Sequence, residues 1–546
     1  MSPGRFITPK PHNEPVKDYL PGSDERRLLK QELARQARHP VEIPLVVDGK
    51  DVKTGHMCER VCPHDHRKLA ATYHAGTVED ARAAVQAALA AKPAWERLPW
   101  EDRAAIFLKA ADLLSGPYRQ VMIAATMLGQ SKTVFQAEID AACELTDYLR
   151  FNVAYACKIY GDQPHLNPEP SWTRLEYRPL DGFVFAIAPF NFTSIIGNLP
   201  TAPAMLGNTV VWKPASTAVL SAHYFMRILI EAGLPPGVIN MILGKPSEIA
   251  NPVIDHCDLA GVHFTGSTAT FIGIWHRVAE NLKNGVYRNY PRLVGETGGK
   301  DFVMAAPDAD VEALATAMFR GAFEYQGQKC SAASRAYIPA SIWPAVRDRL
   351  AAMARDVRVG DVADFRTFMG AVIDRKAYER IGGYIEFARA SKEAKIVVGG
   401  DHSDGLGYFI QPTVVETMNP KFRGMEEEIF GPVLTVYVYE DARFVETLDL
   451  LNATSPYALT GSIFSRNRES IRTALERLLH AAGNIYINDK PTGAVVGQQP
   501  FGGGRMSGTN DKAGGYFNLL RWISPQTVKE NFLPPRGFAY PHMSEE

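Results

Sequence analysis

The sequence predicts an α/β protein built on parallel sheets, and three observations point there. Short β-rich runs, "FVFAIAPF", "NTVVWKP", "GVINMILG" and "LAGVHFTGS", recur between residues 183 and 267. Each is separated from the next by a segment long enough for a helix, and strands alternating with helices imply parallel pairing. A second αβ region follows from about residue 299 to 505. Ligands of such sheets bind outside the carboxyl ends of the strands. No Gly-x-Gly-x-x-Gly follows any of these strands, so the sheet alone makes a nucleotide site only an expectation.

In chain order, the first 45 residues mix prolines with a charged helical run, "SDERRLLKQELARQA", capped by Ser23. Helical spacing then runs from Val78 to about Tyr155. Thr77 is an N-cap candidate and Val78, Ala81, Val85 and Ala88 form the buried face. Four prolines in "QPHLNPEPSWTRLEYRPLDG", 163 to 182, break the pattern and read as a loop and exposed strand pair. Gly233 serves as C-cap of the helix inside "STAVLSAHYFMRILIEAGLPPG". In the second region, Val311, Leu314, Ala315, Met318, Phe319 and Ala322 make an apolar stripe that belongs to the core. That helix ends near Gly327, just before Cys330. The tail contains a strand-like "LLRWIS".

Composition narrows the class. At 546 residues the chain holds several units on a prior of about 150 residues each. With 46% hydrophobic and 22% charged residues it reads as an ordinary globular protein. A net charge of −1 gives no electrostatic case for nucleic acid or an anionic membrane. No apolar run approaches the roughly 18 residues of a membrane span. The N-terminus lacks signal- and transit-peptide patterns, so a cytoplasmic location is expected. Six cysteines do not make a disulfide framework in a chain of this length. "HMCERVCPHDH" offers His56, Cys58, Cys62, His64 and His66, but Cys-x₃-Cys is a loose spacing and the alternation suits an exposed hairpin strand. No metal is expected.

The chemistry-bearing stretch is "YQGQKCSAASR", which sets Cys330 in a polar loop after Lys329. A nearby cation would favour the thiolate, the form that attacks carbonyls. Oxidation of an aldehyde by a cysteine needs oxyanion donors, a hydride acceptor and a base for water. "APFNFT" places Asn191 beyond a strand, where its amide can donate to an oxyanion. "PRLVGETGGKD" places Glu296 among apolar and glycine residues, a base whose pKa burial can raise. Alone, such an Asn is usually a turn residue and such a Glu a cap. With Cys330 they form a set.

From about residue 40 to 530 the chain resembles the aldehyde dehydrogenase family. The segments that carry this are "APFNFT", "WKPAS", "FTGST", "GETGGKD", "GQKCSA", "EEIFGPVL" and "PFGGGRMSG", in the family's order. The resemblance implies a Rossmann-type parallel-sheet NAD domain (1–160 and 184–298), a second α/β catalytic domain (299–505), and an oligomerisation β-hairpin and tail (161–183 and 506–546). It implies Cys330 as nucleophile, Glu296 as base and Asn191 as oxyanion donor. For the cofactor it implies Pro189, Phe190, Lys213, Ser216, Gly266, Ser267, Glu428 and Phe430. Many NAD-specific relatives carry Glu where this chain has Ser216, and serine leaves room for a 2′-phosphate. NAD is expected, with NADP left open.

"GETGGKDFV", "YQGQKCSA", "NDKPTGAVVGQQPFGG" and "TNDKAGG" are closer to the 1-pyrroline-5-carboxylate dehydrogenase branch, which oxidises glutamate γ-semialdehyde to glutamate. That resemblance implies a carboxylate anchor at Ser331, Gly493 and Ala494. Some members have serine at the last position, so here the backbone N–H serves alone. It implies Phe192 and Phe501 as an aromatic sandwich and Glu144 near the substrate amine. It also implies at least a homodimer, and a separate proline dehydrogenase or an ornithine route as the source of substrate. Succinate semialdehyde is the rival substrate; that site would recruit arginine, and "PTGAVVGQQ" has none. A CoA-acylating enzyme would lack Glu296, and a silent scaffold would lack Cys330 or Glu296.

Overall fold

The computed structural model describes residues 6–545. Two seven-stranded sheets organise it. In the first, the order is Arg292–Glu296, Leu259–Thr265, Phe183–Ile187, Thr209–Lys213, Ile239–Met241, Leu45–Val47 and Lys50–Val52. Its first five strands pair in parallel, as the βα rhythm predicts. The last two add antiparallel at the edge.

The second sheet runs Ala394–Val398, Thr413–Thr417, Val433–Tyr439, Ala333–Pro339, Asp301–Ala305, Thr460–Phe464 and Asn484–Ile487. Only its edge pair, Ala394–Val398 with Thr413–Thr417, is antiparallel. Central strands of both sheets are buried throughout, as in Thr209–Lys213 and Asp301–Ala305, because helices cover both faces of a parallel sheet. The predicted apolar stripe lies in the core on helix Val311–Phe323, with Leu314 and Met318 fully buried.

Helix starts follow local chemistry. Thr77 and Asp80 make a reciprocal capping box on helix Val78–Arg97. Ser23 caps Asp24–Arg38, and Gly233 ends Val219–Ala232 in the left-handed region. The "HMCERVC" run is the first strand of an antiparallel hairpin, Met57–Cys62 with Asp65–His74.

Two expectations are corrected. The 163–182 segment is not a hairpin: its one strand, Ser171–Pro179, pairs over all nine residues with Ile523–Asn531 near the C-terminus. A two-stranded ribbon needs only two runs of matching length, not adjacency in sequence. "LLRWIS" is also not one strand. A helix, Tyr516–Leu520, ends inside it and the strand starts at Ile523, with Trp522 fully buried between them. Among the described residues, no helix is long and apolar enough to cross a membrane.

Candidate active site

The first sheet reverses its order between strands Phe183–Ile187 and Leu259–Thr265, and open parallel sheets bind ligands at such a reversal. A cavity of about 390 Å³ opens there. Pro189, Phe190, Lys213, Ser216, Gly266, Ser267, Glu428 and Phe430 all line it, together with Asn191 and Cys330. Ser267 caps helix Thr268–Lys283, accepting from the Thr270 N–H at 3.2 Å, so the helix end suits a phosphate. Lys213 ends a central strand, and burial alone lowers it to about 8. Glu428 accepts from the Gly299 N–H at 3.0 Å, and burial raises its pKa. A side chain at Gly298 would sit 2.3 Å from the Glu428 carboxylate oxygens, which is why glycine stands there. The rings of Phe190 and Phe430 meet edge to face at 5.8 Å. A helix N-terminus, a buried lysine, a carboxylate and an aromatic pair line one cleft, a set of groups that fits a dinucleotide. Arg380 also lines the cleft; no sequence motif pointed to it.

Cys330 follows a turn, Glu324–Gly327, in which Tyr325 and Gln326 are left-handed at φ 52° and 56°. Each such residue costs on the order of 1–3 kcal/mol and needs outside support. Gln326 supplies it, donating to the Ser131 and Ala371 carbonyls at 3.0 and 2.6 Å. The thiol differs from expectation. Lys329 turns its ammonium to Glu324 at 3.1 Å and does not stabilise the thiolate. Burial pushes Cys330 well above the usual thiol range, and the charges of Asp301, Glu296 and Glu428 push the same way. Neighbours in sequence point to different sides of the chain, so an adjacent lysine is not an adjacent charge. The resting thiol is neutral.

Asn191 is buried and donates from Nδ2 to the Gln328 carbonyl at 3.1 Å, which ties it to the Cys330 loop. Glu296 ends an edge strand. Its Oε2 is buried without a hydrogen-bond partner among the described residues, and its Oε1 packs against Gly502. Burial raises its pKa well above the usual range, opposed by the Gly503 N–H and Lys512.

A second, smaller cavity of about 80 Å³ lies on the other side of Cys330. Ser331, Gly493, Ala494, Phe192, Phe501 and Glu144 all line it. Cys330 alone lines both this cavity and the nucleotide cleft. Ser331 and Thr492 share a hydroxyl hydrogen bond of 2.8 Å, and Gly493 is left-handed at φ 100°. Phe192 takes the Lys132 ammonium over its ring at 4.0 Å. Lys132 pairs with Asp140 at 2.7 Å, and Asp140 accepts from the Thr193 and Ser194 N–H groups at 2.9 and 2.8 Å. Glu144 accepts from the Ser194 hydroxyl at 3.0 Å, and burial, then Asp140, raises it to about 8. Sequence reasoning missed Tyr148, Glu324 and Lys490, which also line this cavity. Asp140 and Glu144 sit on a π-helical turn, Glu138–Glu144, a feature frequent at functional sites and invisible to helical periodicity.

Residues 50–528 match the Aldehyde dehydrogenase family. "Delta-1-pyrroline-5-carboxylate dehydrogenase, mitochondrial" of Dictyostelium discoideum is 53% identical over 539 residues, 99% of this chain and 97% of that one. The protein of the same name from Homo sapiens is 48% identical over 532 residues, 97% and 94% of the two chains. The structure of the Delta-pyrroline-5-carboxylate dehydrogenase from Mycobacterium tuberculosis bound with NAD is 51% identical, covers 100% of both chains and has a TM-score of 0.96. The first two relatives are mitochondrial by name, which overturns the cytoplasmic location expected above. Cellular addresses are read apart from the folded body, so composition at the N-terminus was too narrow a basis.

Proposed function

The chain belongs to the aldehyde dehydrogenase family, and from that premise we propose that it oxidises L-glutamate γ-semialdehyde, the hydrated open form of 1-pyrroline-5-carboxylate, to L-glutamate with NAD. One observation carries the reading: Cys330 is the residue common to a dinucleotide-shaped cleft and a small pocket of mixed polarity. A thiol placed there can meet an aldehyde on one face and a hydride acceptor on the other.

The chemistry follows from the neighbours. Cys330 Sγ bonds to the aldehyde carbon as its proton passes to solvent water, while the carbonyl π pair moves to oxygen. The second N–H of the Asn191 amide and the Cys330 backbone N–H donate to that oxygen. NAD, held by Lys213, Ser267, Glu428 and Phe430, would supply the acceptor for the hydride of the thiohemiacetal carbon, and loss of that hydride leaves a thioester on Cys330. Glu296 then takes a proton from water, the water oxygen adds to the acyl carbon, and the C–S bond breaks. The departing sulfur takes back the proton that Glu296 drew from water, and glutamate departs. Glu296 is suited to this by its unpartnered Oε2, which keeps an acceptor position open.

For the substrate, the N–H groups of Gly493 and Ala494 and the Ser331 hydroxyl hold the α-carboxylate, because charge-assisted hydrogen bonds are the strong ones. Phe192 and Phe501 flank the aliphatic chain and Glu144 faces the amine. In this reading segments 1–160 and 184–298 bind the dinucleotide, 299–505 carry the nucleophile, and 161–183 with 506–546 join copies of the chain. Succinate semialdehyde would bring Glu144 no ammonium to face. The test follows NADH absorbance with pyrroline carboxylate, succinate semialdehyde and pentanal, each with NAD and with NADP. A kcat/KM at least tenfold higher for the pyrroline substrate with NAD is expected, the loss of one charge-assisted contact being worth about that much. Equal values for the three aldehydes would remove the anchor assignment.

A further inference from the structure

In the substrate pocket, one carboxylate oxygen serves two lysines. Glu324 Oε2 accepts from Lys329 Nζ at 3.1 Å and from Lys490 Nζ at 2.8 Å. All three residues line the pocket with Cys330. Glu324 also lines an outer cavity of about 340 Å³, and Lys490 a surface hollow of about 370 Å³. The trio therefore stands where the pocket meets the outside. Its members are not equally fixed: the Lys490 side chain is 23% exposed, against 5% for Lys329 and 8% for Glu324. The Lys490 stem lies along the anchor loop, its Cε 3.7 Å from where a side chain on Gly493 would begin.

Charge does not balance here. The acids lining the pocket are Asp140, Glu144 and Glu324. Asp140 is matched by Lys132. Glu144, raised to about 8, is largely uncharged at neutral pH. Glu324 is held ionised by two lysines, of which Lys329 is lowered by burial to about 8 and is still mostly protonated. One positive charge is left over, where the pocket meets the outer cavities.

We propose that Lys490 is a specificity-determining residue that receives the α-carboxylate of the incoming aldehyde, exchanging Glu324 for it and passing it to the anchor at Gly493 and Ala494. This rests on the substrate reading above. Glu324 keeps Lys329 throughout, so neither the exchange nor the loss of Lys490 strands a buried charge.

Lys490→Met removes the ammonium and keeps the stem; Lys490→Arg restores the charge. The measurement is kcat/KM for glutamate semialdehyde and for pentanal, an uncharged aldehyde of equal chain length, with NAD saturating. The ratio of the two falls about tenfold in Lys490→Met, the size of one lost charge-assisted hydrogen bond, through KM rather than kcat. Lys490→Arg recovers most of it, and the salt dependence of semialdehyde turnover flattens in Lys490→Met. An unmoved ratio, including an equal fall for both aldehydes, overturns the assignment of Lys490. A wild-type chain with no preference for the semialdehyde overturns instead the substrate reading on which it rests.

Discussion

Burial favours the protonated form of both Cys330 and Glu296, and the Glu296 charge further opposes ionisation of the thiol. That arrangement suits sequential work, because the thiol needs to be ionised only in attack and the carboxylate only in acyl release. For Glu296 the sign of the pH effect follows. As a base it acts in its ionised form, and its folded pKa lies well above the usual 4.5, so acyl release accelerates as pH rises through that higher value. The stability effect runs the opposite way: the folded state holds the proton more tightly than the unfolded chain, so this contribution is full below the ordinary 4.5, fades as pH rises above it, and is lost once pH passes the raised folded value. Glu296→Gln is expected to retain a burst of about one NADH per site while steady turnover drops roughly 10²-fold or more and loses its rise with pH. Stopped-flow absorbance at a series of pH values reads both. A burst lost in proportion to the steady rate would place Glu296 in hydride transfer instead. At this scale short local motifs pointed to Asn191, Glu296 and Cys330, and the fold sets Asn191 and Cys330 in one cleft with Glu296 buried. The sequence misled for Lys329, whose ammonium goes to Glu324, because adjacency along a chain does not fix side-chain direction.

Among the elements, helix Thr193–Met205 carries the pocket wall. Phe192 precedes it and Ser194 holds Glu144. Its first two N–H groups, which have no partner within the helix, are satisfied by Asp140, more than fifty residues upstream. Local caps such as Thr77 and Ser23 were legible because cap and helix are contiguous. This one was not, since the donor and acceptor belong to different helices. Asp140 pairs with the Lys132 ammonium at 2.7 Å, and both side chains are buried. Breaking a buried pair from one side costs about 3–5 kcal/mol, because a lone charge is left behind. Lys132→Met is therefore expected to lower unfolding free energy by about that amount in urea titrations. The double variant Lys132→Met with Asp140→Asn should lose clearly less than the sum of the two single changes. Simple additivity would mean that the two groups act independently and that the cap, not the pair, holds the helix.

Over the whole molecule, the parallel cores were readable and the straps around them were not. Two sheets announce themselves through buried β-rich runs at regular intervals. The N-terminal stretch has no period to read, yet Glu14 binds Arg119 and Arg150 at 2.6 and 2.8 Å, and the Tyr19 hydroxyl donates to Glu138 at 2.8 Å. Those contacts span more than a hundred residues of sequence. The ribbon of Ser171–Pro179 with Ile523–Asn531 is the other strap, and it stands apart from both sheets. An isolated two-stranded ribbon is marginal in water and calls for further packing. Trp172 on one strand and Phe532 and Leu533 just past the other are exposed, so a second copy of the chain is the covering expected in the proposed assembly. Ending the chain after Ser524 removes the tail strand but keeps Trp522 and Ile523, which are buried in the first core. The shortened chain should keep its far-ultraviolet circular dichroism and most of its NAD affinity. Its mass by light scattering should fall to that of a monomer at micromolar concentration. An assembly of unchanged size would move the interface elsewhere on the surface, and unfolding would make the tail part of the core instead of a strap between copies.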